Sequence, residues 1–348
     1  MRSDPQYPFK FLFLGTFFSL PKEKKVQKNK KDTHMWFALS LIALLCWSGS
    51  DMFSKIGSKP SDKLSHWKMV MAVGLVMGLH AAYEVFIGGV EISWDVIVAY
   101  LPASVMYILS MTLGYVGLRY IELSVSSPIC NSSGGIAAVL CFLFLQEMPD
   151  LVQWIGVALV TVGVVLLGAV ELTESDYARE MRQKNSRVKY DKSFLALLFP
   201  ILYCVIDALG TFFDSVILRE EATGTFLDRV FPTMLEEGSA NVAYELTFLA
   251  VGVVAAVYVL GVRREKLTVK AEGPKLLGGV FETAGQLAYI YALGDTAHAG
   301  FAAAIIASYC ALSVVWSRIF LKEKLSWKHY GAIALTVAGI VILGIFDA

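Results

Sequence analysis

The sequence of 348 residues has little charge and no net charge. Its 30 Lys and Arg balance 30 Asp and Glu, and charged residues make up only 17% of the chain. Soluble domains usually carry about 25% charged residues, and a balanced chain has no bulk attraction to nucleic acid. A Walker A motif, an HExxH pair and a CxxC pair are also missing. We therefore expect no ATP hydrolysis, no metal site, no cofactor and no enzymatic activity.

The five cysteines fall inside apolar blocks and are interpreted as small apolar residues. Such blocks dominate the chain, which is 56% hydrophobic. They are about 20 residues long, enough for a helix to cross the ~30 Å hydrocarbon layer of a bilayer. Their continuous, non-alternating character excludes a closed barrel. The sequence predicts an all-α integral membrane protein with ten transmembrane helices, at residues 36–56, 67–88, 96–118, 124–145, 151–170, 194–218, 240–261, 274–293, 298–320 and 327–346.

Residues 1–34 form an N-terminal tail that differs from the rest. Phe9–Leu20 is an apolar run of 12 residues followed by a Lys-rich stretch, and it is too short to span a membrane. It has the length of a signal-peptide core, but no small-x-small cleavage site follows. We interpret the tail as disordered, or as untranslated with Met35 as the true start, in preference to a functional segment.

An internal repeat is the most informative pattern. The segments at 144–168 and 320–344 match closely, with Gly163 aligned to Gly339. Upstream, Trp47-Ser-Gly-Ser-Asp51 resembles Tyr203-Cys-Val-Ile-Asp207. This predicts two five-helix repeats, at 35–170 and 193–348, joined by a polar and solvated linker at 171–192. An odd number of helices per repeat places the repeats in opposite orientations, an arrangement typical of secondary transporters.

The repeat resembles the drug/metabolite transporter superfamily, in particular EamA-type transporters with two EamA repeats. The residues that carry this resemblance are Glu147 and Gly156, Glu323 and Gly331, Pro128, and Trp47-Ser48-Gly49. It covers residues 36–346, and its motifs identify the family but not the substrate. Two departures concern the glycine usual before each glutamate, which is Gln146 or Lys322 here. A third is Ala304, which stands where the fourth span has Pro128 and puts a second kink in doubt.

Lys and Arg concentrate in the odd-numbered loops, whereas the even-numbered loops hold only Arg219 and Arg229. The positive-inside rule then places the odd loops in the cytoplasm and both termini outside. The Lys-rich tail argues for the opposite side, as does the family resemblance, which implies both ends inside. We expect a multi-pass protein of the inner cell membrane whose termini share one side, and a homodimer stays open.

Ionisable residues inside a membrane helix cost roughly 2.5–3.5 kcal/mol each at the helix centre, so each is a functional candidate. Near helix ends, as for Glu84 and Asp214, such groups also simply reach headgroups or water. In the fourth span, Asn131 lies in a Ser- and Gly-rich stretch that serves either ligand contact or tight packing. The substrate-binding or coupling candidates are Glu282, Asp207, Asp51, Gln286, Asn131, Tyr289, Glu84 and Asp214.

Other residues have structural interpretations. Glu147 and Glu323 lie at helix junctions, where we expect each to bind the N-terminal amides of the following helix. Pro128 removes a backbone donor in the fourth span. Gly74 and Gly78 form a GxxxG pattern that allows two helices to approach closely.

These patterns favour a secondary transporter that moves a small metabolite or drug-like solute by alternating access, with proton-coupled efflux as one mode. Acidic groups in a polar cavity between the halves would bind a cationic solute or carry protons. The alternative is a scaffold or sensor that keeps the fold without transport. Amino acids, nucleosides, sugars and cationic drugs all remain open as substrates.

Overall fold

The computed structural model describes residues 35–145, 150–190, 193–219, 226–232, 234–293 and 305–346, and every regular element in those ranges is helical. The helices are α1 (Met35–Gly57), α2 (Ser65–Tyr83), α3 (Trp94–Gly117), α4 (Leu123–Cys130), α5 (Ser133–Leu145), α6 (Leu151–Thr173), α7 (Asp176–Gln183), α8 (Phe194–Ile217), α9 (Leu227–Val230), α10 (Glu237–Ala256), α11 (Val269–Leu293), α12 (Tyr309–Trp316) and α13 (Trp327–Phe346). Wider π-helical turns extend α2 to Gly88, α10 to Val262 and α12 to Leu321.

Seven helical stretches are long and apolar enough to cross a membrane. They are Met35–Gly57, Ser65–Gly88, Trp94–Gly117, Leu123–Leu145, Leu151–Thr173, Phe194–Ile217 and Glu237–Val262. Within the described residues, Ile305–Leu321 and Trp327–Leu343 are apolar but shorter. These stretches confirm the all-helical membrane class, whereas the count of ten spans and the inversion of the halves stay predictions.

Local sequence signals fix several helix ends. Asp150 accepts a hydrogen bond from the Gln153 amide while the Gln153 side chain accepts one from the Asp150 amide, both at 2.7 Å, a capping box that starts α6. Gly89 ends the π-turn after α2 with φ of +77°. Lys322 ends the equivalent turn after α12 with φ of +58°, a left-handed conformation that favours glycine. The glycine usual in the family before Glu323 thus has a backbone reason.

The long helices pack in antiparallel or crossing pairs around a centre. The pairs are α1 with α11, α3 with α8, α2 with α10, and α6 with α13, while α4, α5 and α12 lie between them. Gly74 permits the α2–α10 contact, because a Cβ there would lie 2.6 Å from the carbonyl oxygen of Phe248. A Cβ on Gly78 of α2 would lie 2.7 Å from the side chain of Leu249 on α10.

The fourth span, in which Pro128 was expected to remove a backbone donor, is interrupted. Following Pro128, α4 ends at Cys130, and a turn at Asn131–Ser132 separates it from α5. A similar interruption occurs at Ser308, directly before α12. In both places a serine hydroxyl donates to the carbonyl three residues earlier, Ser132 to Ile129 at 2.5 Å and Ser308 to Ile305 at 2.6 Å.

The segment between the halves is not the solvated linker that its composition predicts. Its helix α7 buries Arg179 and Arg182 against the ends of the transmembrane helices. Arg182 Nη1 lies 2.7 Å from both carboxylate oxygens of Glu122 and 3.0 Å from the carbonyl oxygen of Lys324. Because Glu122 precedes α4 and Lys324 precedes α13, this one side chain joins the two halves. We call this end of the molecule the linker face.

A second ion cluster lies at the linker face. Asp62 pairs with Lys68 at 3.2 Å and with Lys275 at 3.4 Å. Burial alone would raise the pKa of Asp62, but the hydrogen bond from Lys68 and the two lysine charges hold that pKa below its ordinary value. Asp62 therefore stays ionised near neutral pH and ties the α1–α2 loop to α11.

Candidate functional site

A small cavity of about 90 Å³ lies at the centre of the helix bundle, where the two halves meet. The first half contributes α1, α3 and α4, and the second contributes α8, α11 and the start of α12. At roughly 10–15 Å³ of such space for one water, the cavity has room for a few waters. The described residues around it include no Lys, Arg or His. Its polar lining consists of Ser50, Asp51, Ser54, Ser126, Ser127, Asn131 and Glu282.

Two of the candidate carboxylates, Asp51 and Glu282, face this cavity. Asp51 on α1 accepts hydrogen bonds from Ser127 at 2.5 Å and from Ser313 at 2.7 Å. Glu282 on α11 lies near Ser50 and close enough to Asp51 for their charges to interact. The cavity therefore concentrates negative charge without a cationic partner in its described lining.

The interrupted fourth span supplies the other polar groups. Asn131 lies at the turn that follows α4, and its side-chain amide donates to the carbonyl oxygen of Ser127 at 3.1 Å. Tyr309 of the opposite half lies beside Asn131 in the same lining. Because the helix breaks here, polar groups from both halves meet beside the two carboxylates.

Aromatic rings form the remaining wall, with Trp47, Tyr115, Tyr203 and Tyr309 lining the cavity. Trp47 packs against Tyr309 with ring centroids 5.6 Å apart and against Tyr289 at 5.3 Å. The Trp47 Nε1 is buried and has no hydrogen-bond partner among the described residues. Tyr289, a sequence candidate, is thus buried behind the tryptophan and does not line the cavity.

Asp207 and Asp214 on α8 lie outside the cavity lining. Asp207 accepts hydrogen bonds from Ser110 at 3.1 Å and Ser133 at 2.8 Å. Asp214 accepts one from Tyr100 on α3. The structure therefore places both in the buried contact between α8 and its neighbours.

A larger cavity of about 650 Å³ lies at the end opposite the linker face. The candidate Glu84 lines it together with His80 and Asn241. The candidate Gln286 reaches its wall by donating to Asn241 at 2.9 Å. We call this cavity the vestibule. Neither Glu84 nor Gln286 lines the central cavity.

Glu323 binds helix amides, but not those of the helix that follows it. Its carboxylate accepts hydrogen bonds from the backbone amides of Leu123 at 3.3 Å and Ser124 at 3.1 Å. These amides begin α4 of the opposite half, so Glu323 joins the halves at the linker face. Glu147, its counterpart in the repeat, lies outside the described residues.

Sequence reasoning missed several groups. Ser127 and Ser313 gave no signal by themselves, because a serine in a membrane helix usually satisfies its own backbone. Glu245 did give a signal, since it is a carboxylate inside the predicted span 240–261. It is buried and lies 2.9 Å from His80 across the α2–α10 contact.

One group in the described part of the chain has the spacing of metal ligands, Glu171, Glu174 and His329. Arg179 already lies 2.6 Å from Glu171, and Arg182 lies 2.9 Å from Glu174. Two guanidinium groups therefore neutralise these carboxylates, and the group is an ion network of the linker face.

A bundle of apolar helices with two carboxylates at a central cavity is typical of a multi-pass membrane protein with a function in its interior. The chain belongs to the EamA-like transporter family, whose model matches residues 34–169 and 233–345. This match confirms the resemblance to EamA-type members of the drug/metabolite transporter superfamily, with two matched regions for the two repeats. Proteins of this family are generally not enzymes. No curated protein matches the chain.

Proposed function

We propose that the protein is a secondary transporter that binds a small cationic solute, or protons exchanged for it, at the central cavity. The observation that carries this proposal is the convergence of Asp51 and Glu282, one from each half, on a cavity without a cation in its described lining. Each carboxylate in a membrane interior costs a few kcal/mol unless a ligand or proton offsets its charge. Binding a cation or a proton removes that cost.

The proposed architecture is ten spans in two inverted halves, and paired contacts support it. Residues 176 positions apart are equivalent in the two halves, so Gly163 corresponds to Gly339 and Val160 to Thr336. A Cβ on Gly163 would lie 2.7 Å from the Thr336 amide, and a Cβ on Gly339 would lie 2.7 Å from the Val160 amide. Such reciprocal contacts are expected where a two-fold axis passes between α6 and α13.

The α2–α10 contact has the same reciprocity. A Cβ on Gly74 would meet the Phe248 carbonyl, and a Cβ on Gly252 would meet the Val70 carbonyl. A shift of 178 residues relates these two pairs. The interruptions at Ser132 and Ser308 are also equivalent, at a shift of 176. The two reciprocal contacts and the pair of equivalent interruptions support one two-fold axis between the halves.

Alternating access requires that the cavity open to one side at a time. At the linker face, Arg182 and Glu323 join the halves through hydrogen bonds. At the other end lies the vestibule of about 650 Å³. These features support a conformation closed at the linker face, from which the halves would rock to release solute. The positive charge of the linker face favours its placement in the cytoplasm.

The test is flux through purified protein in proteoliposomes. Labelled cationic amines and amino acids would be offered with and without a pH gradient. We expect uptake or efflux of a cation that responds to the gradient, and Glu282→Gln should alter its pH dependence because one titratable group is lost. Glu91→Gln, a carboxylate of the vestibule wall, is the matched control and should leave the profile unchanged.

The rival function is a scaffold or sensor that retains the fold. It predicts no flux of any solute in either direction, with or without the gradient, from protein that still binds ligand or folds normally. That result across the panel would contradict transport.

A further inference from the structure

A groove of about 600 Å³ lies at the linker face, apart from both the central cavity and the vestibule. It runs between the end of α3 and the start of α8, at the boundary of the membrane-spanning segments. Arg119, Tyr120, Lys189 and Leu195 line it, and Ser193 at the start of α8 closes one end.

Arg119 is the unusual residue of this groove. Its side chain is buried, with 7% of its surface exposed, and no carboxylate lies within ion-pair distance of it in the described part of the chain. Nη1 donates to the Lys63 carbonyl at 3.0 Å, but Nε has no hydrogen-bond partner among the described residues. Buried charges in proteins are normally paired, so binding of an anion would stabilise this arginine.

The acidic groups beside the groove do not meet that need. Glu122 is bound to Arg182, and Glu171 is bound to Arg179 and His329. These carboxylates therefore already have cationic partners, and the charged residues in the described lining of the groove are Arg119 and Lys189.

Other features of the groove suit an amphipathic anion. The guanidinium of Arg119 lies 5.2 Å from the Tyr120 ring, which stacks on Phe199 at 5.8 Å. Leu195 is 65% exposed. The Ser193 side chain does not cap α8, so the first amides of this 24-residue helix also favour negative charge. Arg and helix amides recognise phosphate oxygens, and the apolar wall would accompany acyl chains.

We propose that this groove binds the headgroup phosphate of an anionic phospholipid, with Arg119 as the buried anchor and Lys189 as the outer cation. The assignment does not depend on the transport proposal. It commits to a lipid in preference to free phosphate because apolar residues form much of the same wall.

The test titrates purified protein in neutral detergent with phosphatidylglycerol, phosphatidylcholine or inorganic phosphate, and follows the thermal midpoint to obtain apparent Kd values. Phosphatidylglycerol should bind at least about tenfold more tightly than phosphatidylcholine, and inorganic phosphate should give no comparable stabilisation. Arg119→Gln should weaken phosphatidylglycerol binding by about tenfold and Lys189→Gln by about fivefold.

Lys184→Gln is the matched control, because Lys184 is exposed in the same linker but does not line the groove. It should change the lipid Kd by less than about twofold. If Arg119→Gln does not fold, the comparison of Lys189→Gln with Lys184→Gln decides. Equal binding of the two lipids, equal effects of those two variants, or equal stabilisation by inorganic phosphate would each overturn the proposal.

Discussion

The two halves of the molecule pack alike but differ at the centre. Gly163 and Gly339 serve the same contact from opposite sides, and Trp47 and Tyr203 each lie against a glycine of the other half, Gly285 or Gly114. The carboxylates break the pattern. Asp51 faces the central cavity, whereas its counterpart Asp207 is held by two serines outside the lining.

This difference distinguishes residues that pack the helices from residues that act at the cavity. Contacts that occur twice are those that hold the bundle together, because both halves need them equally. The charge of Asp51 is not needed for this packing, because the equivalent residue in the other half, Asp207, does not face the cavity. Met111 of α3 lines the cavity beside Glu282 of α11, although the two helices hold matching places in the halves. We therefore infer that function lies where the halves differ.

The sharpest test of that inference compares Asp51→Asn with Asp207→Asn. We expect Asp51→Asn to reduce cation flux by about tenfold or more, because the ligand loses a charged partner worth at least about 1.4 kcal/mol. Asp207→Asn should retain most of the flux, since its carboxylate lies outside the cavity lining. Flux in proteoliposomes, normalised to folded protein, measures both variants. Equal losses would remove the distinction between the halves.

The largest effect on stability is expected at Arg182, one of the side chains that tie the halves together. Arg182→Gln leaves Glu122, which is 1% exposed, as a buried charge without its partner. Loss of one partner of a buried ion pair costs about 3–5 kcal/mol. Denaturant unfolding should show this loss, and the exposed Arg187→Gln in the same segment should show almost none. An unchanged midpoint for Arg182→Gln would mean that α7 does not hold the halves.

The reciprocal glycines should respond as a pair. Gly163→Ala and Gly339→Ala each place a Cβ within 2.7 Å of backbone and should destabilise the protein by similar amounts, about 1–3 kcal/mol. Gly168→Ala on the same helix α6 meets nothing within 4 Å and is the control. It should be neutral or stabilising by up to about 1 kcal/mol. Thermal midpoints that differ strongly between the two glycine variants would argue against a shared axis.

The smallest expected effect concerns a place where this chain departs from its family. Lys322→Gly should stabilise the protein by about 1 kcal/mol, because the left-handed backbone at φ of +58° disfavours a side chain. Lys324→Gly, two residues later and without a positive φ, is the control and should not stabilise. If both variants lower the thermal midpoint, the strain at residue 322 is negligible.

Much of the fold could be predicted from the sequence because membrane helices can be identified by their length and hydrophobicity. The cost of placing ionisable or amide side chains inside a membrane span also led to Asp51, Glu282 and Asn131, which the structure gathers at one cavity. Depth along a helix could not separate Asp51 from Asp207, since both lie at matching positions. Each accepts hydrogen bonds from two serines, so the distinction comes from the packing around them, which leaves only Asp51 in the lining of the central cavity.

Other features depended on contacts between segments that are distant in sequence. The composition of 171–192 gives no apolar stripe, so only the fold shows that Arg182 is buried between Glu122 and the Lys324 carbonyl. Likewise, Glu323 was expected at the helix that follows it, but the packing of the halves brings it to Leu123 and Ser124. A hydropathy scale scores every charged residue as hydrophilic, so it does not detect a charged side chain that is buried in a tertiary ion pair.

The inverted relation between the halves is tested most directly by the side of the membrane on which equivalent residues lie. Leu151 and Trp327 begin the matching helices α6 and α13, and both are exposed, at 76% and 89%. Each would be changed to cysteine in a background whose five native cysteines are replaced by alanine, and intact cells would be treated with a membrane-impermeant maleimide. We predict that one position reacts in intact cells and the other only after permeabilisation. Reaction of both positions from the same side would contradict the account.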